Sequence, residues 1–318
     1  MTVTHTWKTE DTQLTLQRGF FRFDESVANH LPLRCGGRCL VWIEVFDRNE
    51  LQQVIKFLRK QNIRTKKHTR TKRKMKYRIH HPFEDWLVQD QGFQGVVIRL
   101  RGDFEKQKYI QEKHGEDGLV FREGYRVGVS TLWCQIEPFQ DIVGLWTGSV
   151  GTVLRGEQRN CLLGWEYTLE IHKGRQVIYE YVDSKTTLRD LSNKEIVTHV
   201  IFHQMPSQTK RRKNKERYKP MRNGELFLRK SGKNIQHRKC GELLEVQDLY
   251  GTRLRGWNVE GYAGLITHVP YLRNSGISTA VQATSDLLEL YKGIREKIQR
   301  KMGIEIILVP NIIGRMNK

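Results

Sequence analysis

The order of apolar and polar positions divides this 318-residue chain into short strands and two clear helices. Segment 38–47, RCLVWIEVFD, alternates and is β-branched or aromatic, which predicts a strand. In the following NELQQVIKFLRKQ the period changes. Leu51, Val54, Ile55 and Leu58 recur at helical spacing, with Asn49 as the expected N-cap. Lys76 to His80 and 95–100, GVVIRL, again read as strands, so this part is an α/β layer. From 117 to 204 the pattern is strand-rich and punctuated by glycine. There WEYTLEIHKGRQVIYEYV predicts a hairpin about Lys173-Gly174, and EIVTHVIFH, 195–203, a last strand. Short strands are expected near 224–228 and 262–268. A second amphipathic helix is expected from about Val281 to Met302, with Leu287, Leu288, Tyr291, Ile294, Ile298 and Met302 as its stripe and Gly303 as its stop. The run GIEIILVPNIIG closes the chain as a buried strand.

Composition narrows the class. At 38% hydrophobic residues the chain is too apolar to be disordered as a whole, and no run of 18 apolar residues exists to span a membrane. The first residues contain Glu10 and Asp11 and lack the apolar core of a secretory signal. The five cysteines are odd in number and form no CxxC pair, so buried reduced thiols, no metal site and a reducing intracellular compartment are expected, either cytoplasm or the matrix of a mitochondrion or plastid.

Charge changes the picture most. Of the net +20, Arg64 to Arg78 supplies nine positives with no acid, and Lys210 to Arg222 supplies eight with one acid, Glu216. The rest of the chain carries only +4. Nine positives without a negative repel one another and favour a polyanion. Lys66, Lys67, Arg70, Lys72, Arg73, Lys74, Lys76 and Arg78 are the expected phosphate contacts of the first segment. Lys210, Arg211, Arg212, Lys213, Lys215 and Arg217 are those of the second, which also reads as a nuclear-localisation or anionic-membrane signal. No groove-reading motif is visible, so flexible basic loops binding RNA by shape and phosphate are the expectation, in the style of a ribosomal or other ribonucleoprotein component or assembly factor.

Arg34-Cys35-Gly36-Gly37, LVQDQGFQGVVIRL at 87–100, GSVGTV at 148–153, YEYVDS at 179–184, KERYKPMRNGELF at 215–227, and the closing helix with its apolar run follow one another along the chain. Together, in that order, they resemble one family, the FAD-dependent UDP-N-acetylenolpyruvoylglucosamine reductases. The resemblance implies an α+β protein: a vanillyl-alcohol-oxidase-type FAD-binding fold of two α/β subdomains, 21–116 and 117–209, after an N-terminal extension 1–20. A basic linker, 210–222, and a C-terminal α+β domain, 223–318, would follow. The family's glycine-rich GxGSN loop falls on His81, Pro82, Phe83, Glu84 and Asp85, which places two carboxylates and a proline where a pyrophosphate should sit. Gly148, Ser149 and Gly151 remain of the second loop. The family's flavin-steadying Arg is Val182, its Ser or Cys proton donor is Glu225, and its C-terminal Glu is Val309. A general acid must be titratable, so these changes imply a non-catalytic protein without cofactor that binds RNA. The alternative is a working FAD- and NADPH-dependent reductase of peptidoglycan synthesis with a divergent active site.

Overall fold

A computed structural model describes residues 4–9, 12–31, 35–64, 72–82, 84, 86–111, 113–114, 120–121, 123–136, 148–155, 162, 164–174, 176–186, 188–192, 195–204, 226–229, 238–239, 253–254, 257–260, 265–268, 284–303, 305–308 and 311–313. The first strands are β1 (His5–Lys8), β2 (Gln13–Leu16), β3 (Phe20–Ser26) and β4 (Arg38–Val45), followed by helix α1 (Arg48–Lys60). Then come β5 (Asn62–Arg64), β6 (Lys72–Lys74), β7 (Tyr77–His80), β8 (Trp86–Val88), β9 (Phe93–Leu100), β10 (Gln107–Ile110), β11 (Lys113–His114), β12 (Val120–Phe121) and β13 (Gly124–Gly128). Helix α2 (Val150–Arg155) precedes β14 (Glu166–Lys173), β15 (Gln176–Val182) and β16 (Glu195–Gln204). The remainder holds β17 (Leu226–Arg229), β18 (Arg238–Lys239), β19 (Arg253–Leu254), β20 (Trp257–Glu260), β21 (Leu265–His268), α3 (Thr284–Met302), β22 (Glu305–Leu308) and β23 (Asn311–Ile313). The chain forms two compact units. The first is Met1–Phe23, Val41–Glu84 and Gly95–Pro220; the second is Asp24–Leu40, Asp85–Gln94 and Met221–Lys318.

In the first unit two sheets carry the core. One has the order β3-β4-β9-β7, with β7 parallel to β9. Its central strands are apolar on both faces, as strands covered on both sides must be: Val41, Trp42, Ile43 and Val45 in β4 and Val96, Val97, Ile98 and Leu100 in β9 are all buried. Helix α1 buries Leu51, Val54, Ile55, Phe57 and Leu58. Its cap is Asp47, whose side chain accepts from the Glu50 N–H, and not the expected Asn49. Both residue types cap well, and Asp47 has the extended backbone a cap needs. The other sheet is antiparallel, in the order β10-β13-β16-β14-β15, and contains the expected hairpin, with Lys173 opposite Gln176.

Two expectations change here. The basic segment is not a plain loop: its flanks pair as an antiparallel ladder, Asn62 with Lys74, Ile63 with Arg73 and Arg64 with Lys72. In the second unit, the closing run is two strands rather than one. β22 pairs antiparallel with β17, while β23 pairs parallel with β8. Pro310, which lacks a backbone donor, lies between them in sequence. Helix α3 buries Leu287, Leu290, Ile294 and Ile298, so Leu290 rather than Leu288 or Tyr291 completes its stripe.

Candidate functional site

In the first unit, the turn expected to have lost its phosphate contacts packs against α2. His81, Pro82 and Glu84 are buried. The turn closes on itself: the Glu84 N–H donates to the His81 carbonyl at 3.0 Å, and the His81 N–H donates to Glu84 Oε2 at 3.0 Å. Gly151 lies against the His81 ring so closely that a Cβ there would overlap Nδ1, which is why this position is glycine. The Thr152 hydroxyl donates to the Pro82 carbonyl at 2.9 Å. The first N–H groups of α2 are also taken. Val150 donates to Thr131 O (3.0 Å), Gly151 to Val129 O (2.7 Å) and Thr152 to Ser149 Oγ (3.3 Å). A pyrophosphate needs such donors aimed at it. Here they are satisfied internally, and a buried carboxylate stands among them. The turn 81–84 and the start of α2, as folded, do not fit the phosphates of a flavin dinucleotide.

In the second unit, Cys35-Gly36-Gly37 and QDQGF meet. Gly37 N–H donates to Gln89 O at 3.0 Å and Gly92 N–H to the same carbonyl at 2.7 Å. Asp90, on that turn, caps α3: its carboxylate accepts from the N–H groups of Thr284 (2.6 Å) and Ser285 (3.0 Å), while the Thr284 hydroxyl donates to Val88 O (2.6 Å). A cavity of about 600 Å³ opens here, lined by Asp24, Ser26, Arg38, Asp90, Gln91 and Gln94 among others. Arg38 is occupied by Asp24, at 3.1 Å to Oδ2, so the cavity offers a dianion no spare cation among these residues. Cys35 and Cys39 are buried and in no disulfide, and burial pushes the Cys35 thiol up to about 11, the range of an inert cysteine.

Among the other expected positions, Val182 ends β15, buried opposite Tyr167. Lys76 and Arg78 are exposed, and Lys72, Arg73 and Lys74 form β6. Lys66, Lys67, Arg70, Phe83, Asp85, Lys210, Arg211, Arg212, Lys213, Lys215, Arg217, Glu225 and Val309 lie outside the described residues.

Among known proteins, the chain is 23% identical to a UDP-N-acetylenolpyruvoylglucosamine reductase of Geotalea uraniireducens (strain Rf4), over 96% of this chain and 99% of that one. The solved structure of the Thermus caldophilus UDP-N-acetylenolpyruvylglucosamine reductase superposes with a TM-score of 0.57 at 18% identity, covering 93% of this chain and 100% of that one. The fold is the reductase fold. A VAO-type flavoprotein from Myceliophthora thermophila C1 matches with a TM-score of 0.33 at 10% identity, over 86% of this chain and 48% of its own. No protein-family profile matches.

The reductase fold corrects two expectations. The chain was expected to be no enzyme and to carry no cofactor. The relative it matches from end to end and the solved structure whose fold it shares are both named as reductases, of the kind resembled above as FAD-dependent. The physical error lies in equating a loop's spelling with its chemistry. A phosphate responds to whichever donors face it, and a lost glycine pair removes one set of donors only.

One constellation in the reductase fold escaped sequence reasoning altogether. Glu170 on β14 is buried, and its Oε1 accepts from Arg48, from the Thr198 hydroxyl at 3.0 Å and from His199 Nδ1 at 3.2 Å. Its Oε2 accepts from Arg126 Nη2 at 2.8 Å. Burial alone would raise the Glu170 carboxyl, but the His199 ring and the Arg126 guanidinium hold it well below the carboxylate range. His172, on the same face two residues on, is buried, and burial with the nearby Arg48 charge pushes it down from 6.5 to about 4. Between those values the unfolded chain takes up a proton that folded His172 refuses. Its stabilising effect is therefore complete above pH 6.5 and is lost as the pH falls towards 4. Urea unfolding between pH 7 and pH 4 is expected to lose on the order of 2 kcal/mol more in the natural chain than in His172→Phe. Equal losses in both would remove His172 from the acid response.

Proposed function

We propose that this chain is an oxidoreductase of the UDP-N-acetylenolpyruvoylglucosamine reductase type. It uses NADPH and FAD to saturate the double bond of an enolpyruvyl ether on a nucleotide sugar. The observation that supports this is the match over 96% of this chain and 99% of the relative. The phosphates of the flavin are then held by groups other than the turn 81–84 and the start of α2. Reducing such a double bond adds two electrons and two protons, and one proton must come from a positioned acid. Glu225 stands at the family's Ser or Cys donor position, and its carboxylic acid can serve there. Purified protein is expected to be yellow, with absorbance near about 450 nm as for any flavin. It should oxidise NADPH only when the enolpyruvyl nucleotide sugar is present. Glu225→Gln should lower kcat by about 100-fold or more with the absorbance unchanged. Colourless protein after incubation with FAD, and no substrate-dependent NADPH oxidation, would sink the reading.

A second reading has its own observation, the pairing of the basic hairpin. The β5–β6 register puts Arg64 and Lys72 on the same rung of the backbone ladder, within a run of nine positives and no acid whose self-repulsion favours a polyanion. A polyanion relieves that repulsion and gains the entropy of released counterions. Alongside its reductase role, the chain binds RNA through Lys66, Lys67, Arg70, Lys72, Arg73, Lys74, Lys76 and Arg78, with Lys210 to Arg217 as a second contact.

A further inference from the structure

We infer that β1 and β3 carry an aromatic platform for the bases of a single-stranded RNA segment, set at the root of the basic hairpin; this rests on the RNA reading above. On β1, His5 and Trp7 alternate, and on β3 so do Phe21 and Phe23, which is how strands present side chains on one face. The four rings form a connected set. His5 to Phe21 is 6.2 Å between centroids, Trp7 to Phe21 6.0 Å, Trp7 to Phe23 5.4 Å and Phe21 to Phe23 5.5 Å. The set is anchored from behind: Trp7 lies 4.8 Å from the buried ring of Phe57 on α1. In front it is open, with Phe23 56% exposed and His5, Trp7 and Phe21 half-buried. Leaving so much apolar area in water forgoes about 25 cal/mol per Å². Rings fixed in place and facing solvent suit a partner that brings flat apolar faces of its own.

The neighbourhood says which partner. Phe57 lies one helical turn before Gln61, and Gln61 joins the platform to the hairpin. Its side-chain amide donates to Thr12 Oγ1 at 2.6 Å and Thr9 Oγ1 at 3.3 Å, in the β1–β2 connection. Its carbonyl accepts from the Met75 N–H at 3.2 Å, at the foot of β6. Beside Phe57 on α1, Lys56 and Lys60 are exposed. Exposed rings and the exposed cations Lys56, Lys60, Lys76 and Arg78 supply the two parts that bind single strands: bases stack on the rings while cations follow the phosphates. A duplex keeps its base faces occupied and would use the basic track alone. An apolar protein partner would cover the rings but leave the nine positives uncompensated.

The experiment uses the full chain and a fluorescein-labelled 12-nucleotide oligouridylate, with duplex RNA of equal length as comparison. Phe23→Ala is expected to weaken oligouridylate binding about tenfold, the effect of losing one stacked base, with an unchanged salt slope and unchanged duplex binding. Phe23→Tyr should bind as the natural chain does. The triple variant Lys72→Gln, Arg73→Gln, Lys74→Gln should flatten the salt slope by about 2. Because Phe23 is mostly exposed, an unchanged melting temperature in Phe23→Ala separates stacking from folding. If Phe23→Ala binds as well as the natural chain while the triple variant loses affinity, the platform is overturned and the RNA reading stands. If neither single-stranded nor duplex RNA binds, both fall. If Phe23→Ala dissolves a dimer of the natural chain, the rings are a self-association surface and the platform is again overturned.

Discussion

Replacing Glu170 with alanine is expected to destabilise the first unit by about 3–5 kcal/mol, the usual result of stripping one partner from a buried charge network. The carboxylate is 2% exposed and receives Arg48, Arg126, Thr198 and His199. Arg48 is 40% exposed and can turn its guanidinium to water. Arg126 is only 22% exposed and His199 6%, so the uncompensated charge and the unmet donor stay inside. Glu170→Gln keeps one acceptor oxygen and should cost less. The paired change Glu170→Met with Arg126→Met removes charge and counter-charge together and should recover most of the loss. Urea unfolding at pH 7 measures all three, and a Glu170→Ala midpoint equal to that of the natural chain would refute the network's role. The sign of the pH effect follows from the depressed carboxyl. Its stabilisation is present above 4.5, the ordinary value, and is lost as the pH falls below it, so natural chain and variant should converge in acid.

The strongly periodic elements were legible from residues alone: α1, α3, and the β14–β15 hairpin about Gly174. The helices repeat one spacing over enough positions to identify most of the face they bury, and Lys173-Gly174 marks the turn of the hairpin. What failed to show had a physical reason in each case. Glu170 and His172 sit in a strand buried on both sides, where alternation no longer says which residues are inside. The β5–β6 pairing is spelled almost entirely in basic residues, so it has no apolar alternation to read. Trp7, Phe21 and Phe57 are far apart in sequence, and only the fold of β1 and β2 against α1 brings their rings together. The spelling HPFED did reveal the missing glycines. It could not show that Glu84 would turn back onto His81.

The second large effect is at Gly92, where alanine is expected to cost about 3–5 kcal/mol. Gly92 has φ +78°, in the left-handed region, and a Cβ there would overlap the Arg38 carbonyl oxygen. Backbone cannot swing aside as a long side chain can, so either the turn 89–92 or the strand at Arg38 must shift. That turn also holds Asp90 over the first N–H groups of α3, so its movement should weaken the cap as well, by about 1 kcal/mol. Asp90→Ala and Gly92→Ala should therefore combine less than additively, since the second finds the cap already lost. Gly293 supplies the opposite sign within the same unit. It lies inside α3 with open space around its Cβ position, and alanine there should stabilise by about 0.5–1 kcal/mol. Thermal unfolding of the single and double variants separates the two cases. If Gly92→Ala melts with the natural chain, QDQGF owes its glycine to something other than this close approach, and the turn 89–92 is not held against Arg38 by it.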